Sequence, residues 1–552
     1  MAKNRYTDRG EYLTRQSFIK GAAILTLAGF SSRLVGAFFR VVLAMLIADE
    51  GVGLFQMAYP VYGALLALST AGIPLAISKL VSENLAKGNY HAAYRIFRVA
   101  LALLALSGLV VSVGMYLGAP LFASSIARDP RAYLPLASIA PAIFFVTVMS
   151  AYRGFFQGQQ QMIPTAISQI VEQLARVTVA LLLVALLLPR GLEQAAAGAS
   201  FGAVAGAFFG LLVLMFIWQR RRGEFFRRLE QQQLKPEEGS YLTVVHKIFA
   251  LSLPITLGSM VMPMISLVDL SIVPQRLHYA GFDTARATAL YGQLTGMATP
   301  LVHIPTIITV ALAVSLVPAI SEAMALQRRR LVQERSFLAV RMTLLLGLPA
   351  SVGLYLLAEP LTVLLFRNAE AGAVLAVMAG SVVFLTLYQT TAGILQGLGR
   401  TSEPVISLLC GALVKTVLTW ILTAVPALHI QGAALATVAG FAVAALLSLR
   451  KVQLFIALPL RPIDTLFKPG LAALGMGVAI QSLFDPLEAA LNVAGVYRAS
   501  ALTTLISVLG GVFVYGSLLF LLGAVRRADL EMVPRIGPGL ARLAEKLHLL
   551  RR

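Results

Sequence analysis

The sequence has few charges for its length. Charged residues make up 13% of its 552 residues, whereas hydrophobic residues make up 58%. A soluble globular protein typically carries about 25% charged and about 45–50% apolar residues, so this composition excludes a soluble protein. Because about 20 apolar residues cross a bilayer as one helix, the chain has room for many spans and for almost no soluble domain. The sequence therefore predicts a polytopic membrane protein.

Cysteine is nearly absent, and so are the motifs of soluble enzymes. The single cysteine, Cys410, excludes a disulfide framework and a thiol metal site, and its apolar surroundings predict a small side chain of the core. The sequence has no P-loop, no G-x-S-x-G, no H-E-x-x-H and no cluster of His, Cys and carboxylates at metal spacing. We therefore predict that the protein is not an enzyme, with no catalytic residue, no metal and no cofactor.

Basic residues outnumber acidic ones, which gives a formal net charge of +20. On a polytopic chain, Lys and Arg accumulate in cytoplasmic loops, so we expect no nucleic-acid partner. If the N-terminus is cytoplasmic, most of the 45 Lys and Arg lie in the tails, the even-numbered loops and the adjoining span ends. This bias predicts an even number of spans, with both termini in the cytoplasm.

Apolar runs bounded by charges and by Gly or Pro clusters predict an all-α fold of about fourteen transmembrane helices. The predicted spans lie near 18–48, 52–82, 93–122, 132–155, 165–188, 192–218, 248–275, 287–323, 337–366, 373–396, 404–427, 430–457, 466–484 and 496–523. The predicted divisions are an N-terminal lobe (1–218), a basic cytoplasmic linker (219–247), a C-terminal lobe (248–457), two final spans (458–523) and an amphipathic cytoplasmic tail on the lipid surface (524–552).

The two groups of six spans share short motifs at a nearly constant offset. Gly154-Phe-Phe-Gln157-Gly158 corresponds to Gly393-Ile-Leu-Gln396-Gly397, and Val81-Ser82-Glu83 corresponds to Ile320-Ser321-Glu322. These matches indicate an internal duplication. Because each copy holds six spans, both copies have the same orientation, and the axis that relates them follows the membrane normal. Two like-oriented six-helix lobes around a central cavity are the architecture of a transporter.

The first span carries two arginines on one face. Arg33 and Arg40 are seven residues apart, which is two helical turns, and Ser32 adjoins the first. An ionisable residue inside a membrane is costly and usually faces a cavity or a partner. Two guanidinium groups on one face suit a phosphate or a diphosphate; the alternative is that one of them extends to the membrane interface.

The fifth span carries Glu172 and Arg176, four residues apart in the favourable acid-first order. We interpret them as an internal salt bridge that makes both charges tolerable in the membrane. The alternatives are a gate and a proton-linked carboxylate. Arg153, at the end of the fourth span, is interpreted as an interfacial anchor.

The second group of spans holds two further isolated charges and a polar stripe. Asp269 lies in the seventh span with no basic neighbour one turn away, which makes it a candidate site for a coupling ion or proton. Lys415 lies in the eleventh span, and one hypothesis is that it pairs with Asp269, so that an ammonium group takes the place of a bound cation. Gln293 begins a weakly polar stripe on the eighth span and is a candidate cavity residue.

Several motifs resemble one known family. Ser32-Arg33-Leu-Val-Gly36, the loop 49–56, the run 71–79 and Arg153-Gly154-Phe-Phe-Gln157-Gly158 resemble the multidrug/oligosaccharidyl-lipid/polysaccharide (MOP) exporter superfamily. Within it, they are similar to the branch of stage V sporulation protein B and the MurJ lipid II flippases. The resemblance covers the chain to about residue 523.

The resemblance implies a fold and a function. The implied fold is two six-helix lobes with two extra helices, and the implied activity is the flipping of undecaprenyl-diphosphate-linked peptidoglycan precursor across the bacterial cytoplasmic membrane. Arg33 resembles the first-helix arginine of the family's cavity, and Arg40 lies one residue beyond the second. Asp269 resembles the acidic residue of the family's sodium site, but Lys415 stands where acidic or amide ligands are expected. Gln293 stands near a position where the family's cavity often has an arginine.

Three other functions stay open. The substrate could be another undecaprenyl-linked polysaccharide, because cavity arginines suit any lipid-linked diphosphate. A cation-coupled multidrug exporter shares the fold, although Arg33 and Arg40 disfavour organic cations as substrates. A scaffold of the division or sporulation machinery is the third. The predicted partners are a lipid-linked glycan, membrane lipids and the cell-wall synthesis machinery.

Overall fold

The computed structural model describes residues 4–70, 72–232, 241–459, 462–491 and 496–524. Within these ranges the chain forms helices and no β-strand. The chain divides into two compact units, with the division between Pro274 and Gln275.

Within its described residues, the first unit is built from seven α-helices, the last of which runs a few residues past the boundary. They are α1 (Asn4–Thr70), α2 (Ile73–Ala86), α3 (Tyr90–Leu121), α4 (Tyr133–Gly158), α5 (Met162–Leu187), α6 (Leu192–Glu230) and α7 (Tyr241–Tyr279).

The second unit holds the remaining described α-helices. They are α8 (Thr284–Gly292), α9 (Thr299–Ala325), α10 (Arg329–Leu356), α11 (Ala358–Phe366), α12 (Glu370–Ala379), α13 (Ser381–Gly397), α14 (Ser402–Leu422), α15 (His429–Ile456), α16 (Lys468–Leu491) and α17 (Val496–Leu521). A π-helical turn, Gln293–Ala298, joins α8 to α9.

The lengths of the helices agree with the predicted number of spans. In the described part of the chain, twelve helices are long and apolar enough to cross a membrane, and the bent pair α12 and α13 makes a thirteenth. The first of the twelve covers 60 residues, about 90 Å at 1.5 Å per residue, whereas a bilayer core is about 30 Å thick. Non-helical backbone at Ala48 (φ 53°, ψ −169°) divides it. The protein is therefore an all-α polytopic membrane protein with about fourteen spans.

A second interruption breaks the span predicted at 52–82. Helix α1 ends at Thr70, and α2 begins with Pro74 in its first turn after Gly72, whose φ is 77°. A Cβ atom on Gly72 would lie 2.4 Å from the carbonyl oxygen of Ser252 on α7. This contact attaches the first half of α7 to the first unit, which ends at Pro274.

The basic segment 219–247 is helical on both sides of the residues that the structure does not describe, with Gln231 and Gln232 following the end of α6, and its predicted role as a linker stays a prediction. Helix α6 continues to Glu230 and α7 begins at Tyr241. Phe225 holds the extension of α6 in place, because its ring packs against Trp218 and Phe155 at centroid distances of 5.7 and 5.5 Å. Residues 233–240 lie outside the described residues, and so does the predicted tail from 525 onwards.

Cys410 does not lie in the core. It is exposed on α14, next to the exposed side chains of Ile406, Leu409 and Leu413. Its apolar neighbours belong to an exposed apolar surface. The prediction failed because an apolar run in the sequence looks the same whether it faces the protein core or the lipid.

Candidate substrate site

The two arginines of α1 lie on one exposed face, as the sequence predicts. Arg33 and Arg40 are both exposed, and at about 100° per residue they lie about 20° apart around the helix. The exposed apolar side chains of Leu27, Leu34 and Phe38 lie about 130° away around the same helix. The arginines therefore do not share the apolar exposed face.

The third face of α1 packs into the first unit. Phe39 and Leu43, which lie about 90° around the helix from the arginines, are 5% and 1% exposed. This packing fixes the rotation of the helix, so the direction in which Arg33 and Arg40 project is set by buried apolar contacts. The role of both arginines in binding substrate stays a prediction.

Helix α5 carries a carboxylate that binds two arginines. Glu172 Oε1 accepts from Arg176 Nη2 at 2.7 Å, and Glu172 Oε2 accepts from Arg153 Nη2 at 2.8 Å. Arg153 Nε also donates to Ser168 Oγ at 3.0 Å. The predicted contact between Glu172 and Arg176 is thus present, and Arg153 is part of the same network and not a separate interfacial anchor.

A row of glycines on α6 holds this network against the helix backbone. Gly206 and Gly210 face Arg176 and Glu172: Cβ atoms added to these glycines would lie 2.9 and 3.1 Å from the Cβ atoms of those residues. Small residues at a spacing of four let membrane helices approach closely. The spacing is visible in the sequence. It could have indicated that another helix packs closely against this face of α6. The full row is Gly198, Gly202, Gly206 and Gly210.

Tyr59 feels the charge of arginines on two helices. It interacts electrostatically with Arg40 of α1 and with Arg176 of α5. Its ring packs against Phe55 at a centroid distance of 4.8 Å and against Tyr62 at 6.0 Å. Sequence analysis did not select this tyrosine, because an aromatic residue on an apolar helix carries no signal of the charges around it.

Helices α1 and α5 meet beside these residues along polar faces. A Cβ atom on Gly36 would lie 3.1 Å from Gln173 Nε2. One turn earlier on the two helices, Ser32 Oγ and Gln169 Oε1 are buried with no hydrogen-bond partner among the described residues. Buried polar atoms are usually satisfied by protein or by bound water, so this interface is suited to a polar ligand or to water.

Gln293 lies in the second unit and is fully buried. Its Nε2 donates to Glu370 Oε2 at 2.9 Å, and Glu370 also pairs with Arg286. The structure therefore places Gln293 in an ion-pair network at the start of α12 and away from open surface. Its predicted part in substrate binding stays a prediction.

Asp269 and Lys415 lie in different units. Asp269 is half-buried on α7, on the first unit's side of Pro274, and Lys415 is half-buried on α14. Both interact with other residues. Their mutual pairing stays a prediction. Among the described residues, no group of three or more His, Cys, Asp or Glu could hold a metal ion.

The predicted duplication reappears in the contacts inside each unit. Gly158 would place a Cβ atom 2.7 Å from Val81 Cβ, and Gly397 would place one 2.8 Å from Ile320 Cβ. Adding 239 to the numbers of Gly158 and Val81 gives Gly397 and Ile320, which is the offset found between the sequence motifs. The same close contact between a glycine and a β-branched residue thus occurs in both units.

Two families match the chain. The polysaccharide biosynthesis protein family matches residues 18–324, and the MatE family matches residues 294–421. The first match covers more than half of the chain.

Two bacterial proteins are similar over most of their length. Stage V sporulation protein B of Bacillus subtilis (strain 168) is 32% identical over 528 residues, which cover 95% of this chain and 99% of that protein. The lipid II flippase MurJ of the same organism is 30% identical over 446 residues, which cover 77% of this chain and 80% of that protein.

A solved structure has the same fold. The lipid II flippase MurJ in its inward closed conformation superposes with a TM-score of 0.65 at 16% identity, over 90% of this chain and 98% of that chain. The resemblance carried by the sequence motifs is confirmed.

Proposed function

The chain belongs to the polysaccharide biosynthesis protein family of the MOP superfamily, and we propose that it is a flippase for the undecaprenyl-diphosphate-linked peptidoglycan precursor, lipid II. In this proposal the precursor moves from the inner to the outer leaflet of the bacterial cytoplasmic membrane by alternating access. Both termini of the chain lie in the cytoplasm. The cell-wall synthesis machinery would deliver and consume the precursor.

The observation that carries the proposal is the exposed pair Arg33 and Arg40. A lipid-linked diphosphate brings a charged headgroup into a membrane protein, and guanidinium groups bind phosphate oxygens with two parallel hydrogen bonds. The arginines face away from the apolar exposed side of α1, so the headgroup and the lipid tail would meet different surfaces. Similarity to the lipid II flippase MurJ supports the choice of substrate.

A second candidate is the flipping of another undecaprenyl-linked polysaccharide unit. The name of the matching family, polysaccharide biosynthesis protein, favours this alternative. A cation-coupled multidrug exporter is disfavoured by the exposed arginines, which repel organic cations.

We also propose that transport does not require sodium. Lys415 supplies a positive charge in the second group of spans. The resemblance to the family would lead us to expect a sodium ligand at this position. Replacing sodium by potassium in the assay below is expected to leave the rate unchanged. A sodium-dependent rate would contradict this part of the proposal.

The test is replacement of the native lipid II flippase of a bacterial host by this chain. After depletion of the native protein, the amount of lipid II on the outer leaflet is measured. We expect the wild-type chain to restore exposure and Arg33→Ala to abolish most of it, because the first guanidinium contact with the diphosphate is lost.

Arg227→Ala is the matched control, because it removes the same charge from an exposed position on the extension of α6. It is expected to behave as wild type at equal expression. Exposure that survives Arg33→Ala would favour a scaffold, and a well-expressed wild-type chain that restores nothing would favour a different lipid-linked glycan.

A further inference from the structure

Arg276 is held against two aromatic rings near the end of α7. It follows the division at Pro274, in the part of α7 that belongs to the second unit. Its guanidinium carbon lies 4.4 Å from the centroid of the Trp420 ring, on α14, and 4.6 Å from that of Tyr279. Its Nε donates to the Trp420 carbonyl oxygen at 2.8 Å. These contacts together fix the position of the guanidinium group.

The contacts use only part of the hydrogen-bonding capacity of Arg276. The Trp420 carbonyl lies in the last turn of α14, where backbone carbonyls lack a partner within the helix, so the Nε bond caps that helix. An arginine has N–H donors on each of its nitrogens. Among the described residues, Nε is the one nitrogen of Arg276 that has an acceptor. The N–H groups of both Nη atoms are therefore left for a ligand or for water.

The two rings indicate that this guanidinium group lies at the membrane interface. Trp and Tyr concentrate at the level of the lipid headgroups, because their side chains have an apolar body and a polar end. Trp420 is 44% exposed and Tyr279 is 74% exposed. Within the described ranges no carboxylate pairs with Arg276. A cation at this depth without a carboxylate partner attracts the phosphate groups of anionic lipids.

The exposed face of α14 leads from this guanidinium group along the helix. Trp420 shares that face with four exposed apolar side chains, because all five lie within about 80° around the helix axis. The four are Ile406, Leu409, Leu413 and Val417. The face is about 21 Å long at 1.5 Å per residue, whereas one leaflet of a bilayer core is about 15 Å thick. It is thus long enough for the acyl chains of a lipid in one leaflet.

We propose that Arg276, Trp420 and Tyr279 bind the phosphate of an anionic phospholipid whose acyl chains lie along the exposed face of α14. The Nη groups of Arg276 donate to the phosphate oxygens. The rings and the Nε bond hold the guanidinium group before the lipid binds, so less side-chain entropy is lost. A net negative headgroup is preferred, because a zwitterionic headgroup carries its own cation beside the phosphate. The site does not depend on the proposed function.

The two tryptophans of the chain allow a local test. Trp420 is part of the site, whereas Trp218 is 9% exposed and packs among aromatic rings of the first unit. Trp218→Phe therefore leaves Trp420 as the sole tryptophan. The full-length variant is reconstituted in mixed vesicles of phosphatidylglycerol and phosphatidylcholine, with bromine on the acyl chains of one lipid or of the other. Brominated chains quench tryptophan fluorescence on contact, so quenching reports which lipid lies against Trp420.

We expect phosphatidylglycerol to bind about fivefold more tightly than phosphatidylcholine, the order of preference that one basic side chain gives at a membrane surface. Arg276→Ala in the same background is expected to remove this preference. Arg276→Lys keeps the charge but lacks the planar group that stacks on rings and binds phosphate with two hydrogen bonds. It is expected to retain only part of the preference.

Arg190→Ala is the matched control. Arg190 is exposed in the turn after α5, so its loss lowers the net charge by the same amount at a different place, and the preference is expected to remain. Thermal unfolding of each variant reports whether it is folded. If Arg276→Ala does not fold, Arg276→Gln, which keeps an amide donor, replaces it. If Trp218→Phe does not fold, the wild-type protein is compared with Trp420→Phe, whose quenching gives the contribution of Trp218.

Loss of the preference in Arg276→Ala and its retention in Arg190→Ala would support the site. Equal quenching by the two lipids before any change at Arg276 would overturn the proposal. A preference that survives Arg276→Ala, or that is lost equally in Arg190→Ala, would also overturn it, because it would reflect the net charge of +20. Arg276 would then only cap α14 and anchor α7. None of these results changes the outcome of the lipid II exposure assay, so the proposed function is tested separately.

Discussion

The Cβ atom of Arg176 lies 2.9 Å from the position that a Cβ atom would take on Gly206. In the second unit, Lys415 has the same relation to Gly440, at 2.8 Å. Each unit therefore holds one intramembrane cation against a glycine of the following helix. In both cases the small residue lets the two backbones approach, and the cation projects from a tightly packed pair of helices.

Substitution of Gly206 by alanine is expected to destabilise the first unit. The added methyl group would lie 2.6 Å from the Glu172 carbonyl oxygen and 2.9 Å from Arg176 Cβ, so α5 and α6 must separate. Overpacking of this kind costs about 1–3 kcal/mol. A lower midpoint of thermal unfolding in detergent, compared with wild type, would show the effect.

Gly223→Ala is the control for that substitution. Gly223 lies in the same helix, and a Cβ atom there would meet no atom within 4 Å. Alanine favours a helix over glycine by about 0.5–1 kcal/mol, so this variant is expected to be as stable as wild type or slightly more stable. Equal losses at Gly206 and Gly223 would contradict the packing argument.

Substitution of Ala48 by glycine is expected to stabilise the protein. Ala48 has φ 53° and ψ −169°, a region that glycine adopts readily and that costs other residues about 1–3 kcal/mol. The matched change Ala44→Gly, at a buried position within the preceding helix, is expected to lower stability. Thermal unfolding of both variants measures the difference, and a loss in both would argue against strain at Ala48.

Glu50, two residues after the break at Ala48 in α1, contacts the segment that precedes α4. Arg131 Nη1 contacts Glu50 Oε1 at 2.5 Å, while Arg131 Nη2 binds the buried Asp129 at 2.8 Å. Glu50→Gln is expected to lower the free energy of unfolding by about 1–3 kcal/mol, as for other lost hydrogen bonds to charged groups. Denaturation in detergent measures it.

The exposed pair Lys79 and Glu83 provides the comparison for Glu50. Its nitrogen and oxygen lie 3.8 Å apart, and both side chains are more than half exposed. Exposed ion pairs contribute about 0–1 kcal/mol. Glu83→Gln is therefore expected to have little effect, and equal effects of the two substitutions would show that the Arg131 contact is not special.

Arg341 is expected to hold the end of α17 to α10. It is 1% exposed, and its Nη2 donates to the carbonyl oxygen of Ala524 at 2.6 Å. Arg341→Met would leave this buried carbonyl without that donor, at a cost of about 1–3 kcal/mol. Faster proteolysis of the C-terminal end and a lower unfolding midpoint are the expected results.

Arg330→Met serves as the control for Arg341. Arg330 lies at the start of the same helix and is exposed. We expect this variant to resist proteolysis as wild type does. The anchoring role of Arg341 would be wrong if both variants were cleaved at the same rate.

Local sequence features predicted much of the first unit. The seven-residue spacing of Arg33 and Arg40 was sufficient to place them on one face, and the four-residue spacing of Glu172 and Arg176 was sufficient for their contact, because helix geometry alone decides both. The continuation of α6 through the basic segment was not predicted, since the ring packing of Phe225 depends on residues that are distant in sequence.

The sequence by itself determined the number of spans, their apolar character and the duplication, because each of these follows from the length and order of apolar runs. Only the tertiary structure decided which charges meet. Arg153 reaches Glu172 from another helix, Ser168 accepts from Arg153, and Gln293 is buried against Glu370. Such contacts depend on how the helices pack and rotate, and a buried charge is stable only where that packing supplies its partner.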